Sequence, residues 1–324
     1  MVTSSKFKAV FWLLLLIPAV ATVSAASVYE EPIRPIPREH GQDPRKVSLG
    51  DMLFHDARLS RDDSISCAHC HKLGRGGTDG LSRSIGVSGA VGNIKAPTVY
   101  NSRFNLAQFW DGRAANLHEQ AGGPVNNPIE MASNWEQVIS KLKRDQDYTT
   151  RFNELYADGI TEQNIRDAIT SFEHTLITVD SPFDRWLRGD ANALGKRELE
   201  GYELFKSYGC ISCHQGVNVG GNMFQRMGAL GDYFSERGMA ITAADRGRFN
   251  VTGRDEDLYF FKVPSLRLAA INSPYFHDGS VQDLDEAVRV MGLYQLGRKI
   301  PDRHVALIID FLQSLVGNHP DLQP

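Results

Sequence analysis

All four cysteines of the chain fall in two short runs, Cys67-Ala68-His69-Cys70-His71 and Cys210-Ile211-Ser212-Cys213-His214. Paired thiols three residues apart, each pair followed at once by a histidine, do not read as a disulfide framework. A C-x-x-C-H run suits thioether attachment of a haem: two thiols one helical turn apart reach the two vinyl groups, and the adjacent imidazole reaches the iron. A four-thiolate zinc site would draw its ligands from distant segments and leave both histidines idle. A thioredoxin-type redox pair expects a surrounding β-α-β pattern that is missing. Two covalently bound haems c are therefore expected, held by Cys67, Cys70, Cys210 and Cys213, with His71 and His214 as proximal iron ligands.

Lys6 and Lys8 lead into an apolar run from Val10 to Val23, closed by the small-residue site Val23-Ser24-Ala25. Residues 1–26 thus read as an export signal, with an uncleaved membrane anchor as the alternative, and the mature chain is expected in the periplasm. A formal net charge of -4 with no basic stripe argues against a nucleic-acid partner. The 324 residues suffice for one large domain or two ordinary ones.

An internal repeat favours two. Ala96 to Arg113 aligns without a gap on Val263 to Ser280: Pro97 pairs with Pro264, Phe109 with Phe276, Trp110 with His277, Asp111 with Asp278, Gly112 with Gly279 and, just upstream, Lys95 with Lys262. Each block follows its own C-x-x-C-H, so the expected fold is mainly α, with two cytochrome c-like haem domains related by duplication. The boundary is expected near Ser181 to Leu194. That gives an N-terminal domain over residues 27–180, with a Pro-rich arm from Glu31 to Pro44, and a C-terminal domain over residues 181–324.

The copies diverge past the aspartates. Thirteen positions after Asp111 stands Pro124, and thirteen after Asp278 stands Met291. A thioether can fill an iron's sixth position and a proline cannot, so the C-terminal haem is expected to be His/Met and the N-terminal one open. Met291 also suits a core position beside Leu284 and Val288, and Tyr294, one turn on, is the reserve ligand. Among the helices, one is expected to open on a Ser133/Glu136 capping box. Another carries Ile165, Ala168, Ile169, Phe172 and Leu176 on one stripe, and a third starts near Asp302 with Val305, Ile308, Ile309 and Leu312 inward.

With "LFHDARLS" from Leu53, "YFHDGS" from Tyr275 and "VMGLYQLG" from Val290, nearly the whole mature chain resembles the bacterial dihaem cytochrome c peroxidases and their MauG-type relatives. The resemblance implies a peroxidatic N-terminal haem and an electron-collecting C-terminal haem capped by Met291. It also implies a tryptophan between them at Trp110, and a glutamine and a glutamate over the peroxidatic haem at Gln120 and Glu130. Hydrogen peroxide is then the substrate, a small cytochrome c or cupredoxin the electron donor, and a homodimer an open possibility. A carboxylate such as Glu130 can take a proton from one peroxide oxygen and deliver it to the other.

The chain departs from that family at two places. Many members carry a histidine in the loop after the first haem motif that blocks the peroxidatic iron until the other haem is reduced; here the position is Val87, which cannot coordinate. Activity without reductive activation is the expectation, with His69 and His118 as candidate substitutes for the missing ligand. Members also bind calcium between the domains through an asparagine side chain, where this chain has Lys95. The backbone carbonyls of Asn272 and Pro274 remain as candidate ligands, which leaves calcium open. Two other functions stay in view: a MauG-like oxidase acting on protein side chains, and a dihaem electron carrier.

Overall fold

The computed structural model describes residues 1, 2 and 31–322, so the expected export segment lies outside the described residues except for its first two. The helix Pro44–Phe54 begins where the sequence provides a start: Asp43 accepts from the Arg45 N–H, and Pro44 occupies the first turn, where its missing donor is harmless. Its buried face, Leu49, Gly50, Leu53 and Phe54, packs on the helix Glu162–Glu173, which is capped by Thr161. Gly50 allows the close approach, because a Cβ there would overlap the Ala168 carbonyl.

A second pair repeats this arrangement. The helix Lys196–Tyr208 packs on Asp302–Ser314, and a Cβ on Gly201 would overlap the Leu307 carbonyl. Each helix pair anchors its own apolar cluster. The first gathers Leu49, Leu53, Val87, Met131, Val138, Phe152, Ile165 and Ile169; the second gathers Phe183, Tyr202, Phe205, Val305, Ile308, Phe311 and Leu312. Ring centroids in the second lie 4.8 Å (Phe183–Tyr202) to 5.1 Å (Phe183–Phe311) apart, a spacing at which edge-to-face contact adds to area burial.

The ends of the chain cross between these clusters. Ile33 of the Pro-rich arm pairs with Gly216 and is fully buried in the C-terminal cluster, not the N-terminal one that its position in the chain suggested. Arg267 fastens the arm: its guanidinium donates to the Arg34 carbonyl at 2.7 Å and the Val217 carbonyl at 2.7 Å, and pairs in the interior with the Asp184 carboxylate at 2.6 Å. Leu322 in turn joins Phe54, Leu73, Tyr100 and Phe172. The described residues from 31 to 322 consequently form one compact unit.

Helices and short helical turns dominate, joined by one antiparallel strand pair, Phe224–Arg226 with Phe260–Lys262. The expected Ser133 cap is off by one residue. The helix is Trp135–Leu142, and Asn134 caps it by accepting from the Gln137 N–H, while the Ser133 hydroxyl bonds the Gln137 side chain. Both residue types cap well, and the adjacent pair gave no means of choosing.

Candidate functional site

Each C-x-x-C-H run forms one tight helical turn. The His71 N–H donates to the Cys67 carbonyl at 2.9 Å, and the His214 N–H to that of Cys210 at 3.0 Å. The four thiols are unbridged, and burial pushes Cys67 up to about 12 and Cys70 and Cys210 up to about 11. The imidazoles are held alike. His71 Nδ1 lies 3.3 Å from the Gly77 carbonyl oxygen, and His214 Nδ1 3.3 Å from that of Val219. A carbonyl only accepts, so Nδ1 carries the proton and Nε2 keeps its lone pair. Burial lowers both histidines below their ordinary range, His214 to about 4, so each is a neutral donor. Gly220, at φ +131°, completes the second cradle, where a Cβ would run into the Pro264 carbonyl and crowd the His214 ring.

A cavity of about 350 Å³ opens beside Cys67, Cys70 and His71, and one of about 280 Å³ beside Cys210, Cys213 and His214. Two thiols and a neutral imidazole with a free Nε2 are the donor set of a covalently attached haem, so the residues present fit one such group in each cavity.

The walls differ in the way the register suggested. Met291 lines the C-terminal cavity and Pro124 the N-terminal one. Met291 opens a π-helical turn, Met291–Gln295, which follows directly on the helix Leu284–Val290. Tyr294 is not among the residues lining either cavity; its hydroxyl donates to Glu236 at 3.0 Å and its ring packs on Tyr233.

Gln120 and Glu130 both line the N-terminal cavity. Gln120 ends the short helix Leu117–Gln120, which is capped by Asn116. Glu130 sits in the turn after Pro124, its carbonyl accepting from the Val87 N–H at 2.8 Å and its Oε1 from Asn127 Nδ2 at 2.6 Å. Burial raises the Glu130 pKa, opposed by that hydrogen bond and by the Arg113 charge. Val87 packs in the N-terminal cluster, and neither it, His69 nor His118 lines the cavity; His118 turns toward the Gln163 carbonyl.

Trp110 lines both cavities. Its indole N–H donates to the Lys95 carbonyl at 3.0 Å, and its ring meets His277 edge-on at 6.4 Å. His277 is fixed in turn by Asp245, 2.7 Å from Nε2, while Arg237 bridges Asp245 and Asp278.

The candidate calcium position is already cationic. Lys95, buried, donates from Nζ to the Asn272 carbonyl at 3.0 Å, while Pro274 lines the C-terminal cavity. Calcium takes about six to eight oxygen ligands. With an ammonium on one of the two candidate carbonyls, the residues do not fit the ion.

Comparison with known proteins decides the family. The chain is 46% identical over 306 residues to the cytochrome c551 peroxidase of Nitrosomonas europaea, an alignment covering 94% of this chain and 89% of that one. The chain belongs to the di-haem cytochrome c peroxidase family. Residues 44–192 match the description of that family directly. The chain is also 54% identical over 289 residues to cytochrome c peroxidase Ccp of Escherichia coli K12, spanning 89% of this chain but 61% of the relative's length. Among solved structures, a MauG-like protein associated with microbial copper homeostasis superposes with a TM-score of 0.75 at 26% identity, covering 91% of this chain and 97% of that one. Within this peroxidase family frame, sequence reasoning missed Asn127, Arg113 and Glu173, all on the N-terminal cavity wall. Two signals were present: an Asn-Pro turn three residues before Glu130, and a carboxylate at Glu173, one turn beyond Ile169 on an otherwise apolar stripe.

Proposed function

We propose that this chain reduces hydrogen peroxide to water in its N-terminal cavity, taking electrons one at a time through the C-terminal haem from a small cytochrome c or cupredoxin in the periplasm. We further propose that it does so without prior reductive activation. The observation that carries this reading is the unequal lining of two otherwise similar cavities: Met291 in one, and Pro124 with Gln120 and Glu130 in the other. His/Met ligation raises a haem's reduction potential and suits electron entry, while a haem held by histidine alone keeps a face open to oxidant.

The haem irons, when bound, supply the redox chemistry. The protein's residues manage the protons. One peroxide, two electrons and two protons give two waters, and Glu130 as carboxylate takes a proton from one peroxide oxygen and returns it to the departing one. Arg113 and Asn127 favour the charged form that this needs. The Gln120 amide orients the peroxide by a hydrogen bond, and Trp110, on both walls, gives a short path for electrons between the sites.

The test is stopped-flow addition of stoichiometric peroxide to the oxidised, doubly haem-loaded chain, with and without a reduced small cytochrome c. Rapid oxidation of the donor without a priming step supports the proposal. Peroxide consumption that oxidises a partner protein's side chains with poor donor turnover would favour a MauG-like role. Indifference to peroxide would leave an electron carrier.

A further inference from the structure

Among the described residues, the wall of the C-terminal cavity contains two lysines, Lys95 and Lys262, and no aspartate or glutamate. The N-terminal cavity is mixed, with Asp111, Glu130 and Glu173 beside Lys95 and Arg113. Lys95 spends its ammonium on the Asn272 carbonyl. Lys262 does not have that outlet. It ends the strand Phe260–Lys262, its backbone N–H donating to the Trp110 carbonyl at 2.8 Å, and it is only 7% exposed. Among the described residues no oxygen accepts from its Nζ, and no carboxylate lies within ion-pair distance. Burial alone pulls it down to about 8.

An ammonium without a partner on the wall of an apolar cavity is unfavourable, and evolution usually answers that with a partner of opposite charge. A haem brings two carboxylates of its own. We infer that the Lys262 ammonium pairs with a propionate of the C-terminal haem and thereby raises that haem's reduction potential. The sign follows from charge: a bare propionate stabilises the ferric over the ferrous iron, and a cation on the propionate removes that bias. Lys262 is thus a positioning and potential-setting residue at the electron-entry site, touching the cofactor's periphery and not its iron.

This rests on reading the two cavities as haem sites, and the test keeps the two apart. Covalent haem is first counted in the full-length chain; fewer than two would sink the cavity reading itself. With two present, the potential of the His/Met site is measured by redox titration for the natural chain, Lys262→Met and Lys262→Arg. The Met variant should show about a tenfold fall in the equilibrium constant for one-electron reduction, a shift of ~59 mV, with altered propionate bending bands in the resonance Raman spectrum. The Arg variant should stay within about threefold. If the Met variant does not assemble, Lys262→Gln, which keeps a donor without the charge, should show the same fall. An uncharged variant with two haems, an unchanged potential and unchanged propionate bands overturns the inference.

Discussion

Asn127→Ala should move the acid limb of peroxide reduction to higher pH while leaving the alkaline plateau standing. Asn127 Nδ2 donates to Glu130 Oε1 at 2.6 Å, and among the described residues no other group bonds that carboxylate. A hydrogen bond to a charged group contributes ~1.5–3 kcal/mol, and its loss destabilises the carboxylate by that much relative to the neutral acid, which raises the Glu130 pKa. Burial already raises that pKa, so the variant adds to an existing shift in the same direction. The base works as carboxylate; activity falls as pH drops through its pKa, and a higher pKa makes that fall begin sooner. The assay is kcat/KM for peroxide between about pH 5 and pH 9, with Glu130→Gln as companion, which should lose the limb and ~10²–10⁴ of the rate. An acid limb that stays in place in Asn127→Ala, or survives at near-normal rates in Glu130→Gln, refutes the assignment of Glu130 as the base.

Three further outcomes follow from the same structure. Met291→Ala should convert the C-terminal haem from low to high spin and slow donor oxidation, both visible in absorption spectra and donor assays; an unchanged low-spin spectrum would remove Met291 as a ligand. Arg267→Leu leaves Asp184 charged in the interior and unties the Pro-rich arm, so denaturant unfolding of the loaded chain should show a loss of ~3–5 kcal/mol. A loss below about 1 kcal/mol would mean the pair is worth no more than a surface one. Phe311→Ala, which empties the centre of the C-terminal aromatic cluster, should cost a similar ~3–5 kcal/mol and leave the haem count unchanged.

What could be read from the chain before its structure was mostly local. The repeat at an offset of 167 residues reappears as geometry: Gln108 pairs with Ala114 and Tyr275 with Val281, while Phe109 and Phe276 share φ of 66° and 65°. Continuing that register identified Met291 and Pro124 as counterparts, and both line their cavities. Sequence favoured Met291 and held Tyr294, one helical turn on, in reserve; in the structure Met291 lines the cavity and Tyr294 does not. The Pro-rich arm was visible as composition, but the burial of Ile33 in the C-terminal cluster depends on contacts some 180 positions away, which no local pattern encodes. Lys95 and Lys262 were seen as a matched pair. That both are buried, and that among the described residues only Lys95 has a protein acceptor, needed the third dimension. Glu173 was hidden for a related reason: on a helical stripe a single carboxylate reads as tolerated, until its burial pushes it up to about 8.

Electron paramagnetic resonance of the oxidised protein, before any reductant is added, bears most directly on the proposed division of labour between the sites. One high-spin ferric signal from the N-terminal haem beside one low-spin His/Met signal from the C-terminal haem is the predicted result. Two low-spin signals, each from an iron with strong protein ligands on both faces, would contradict it.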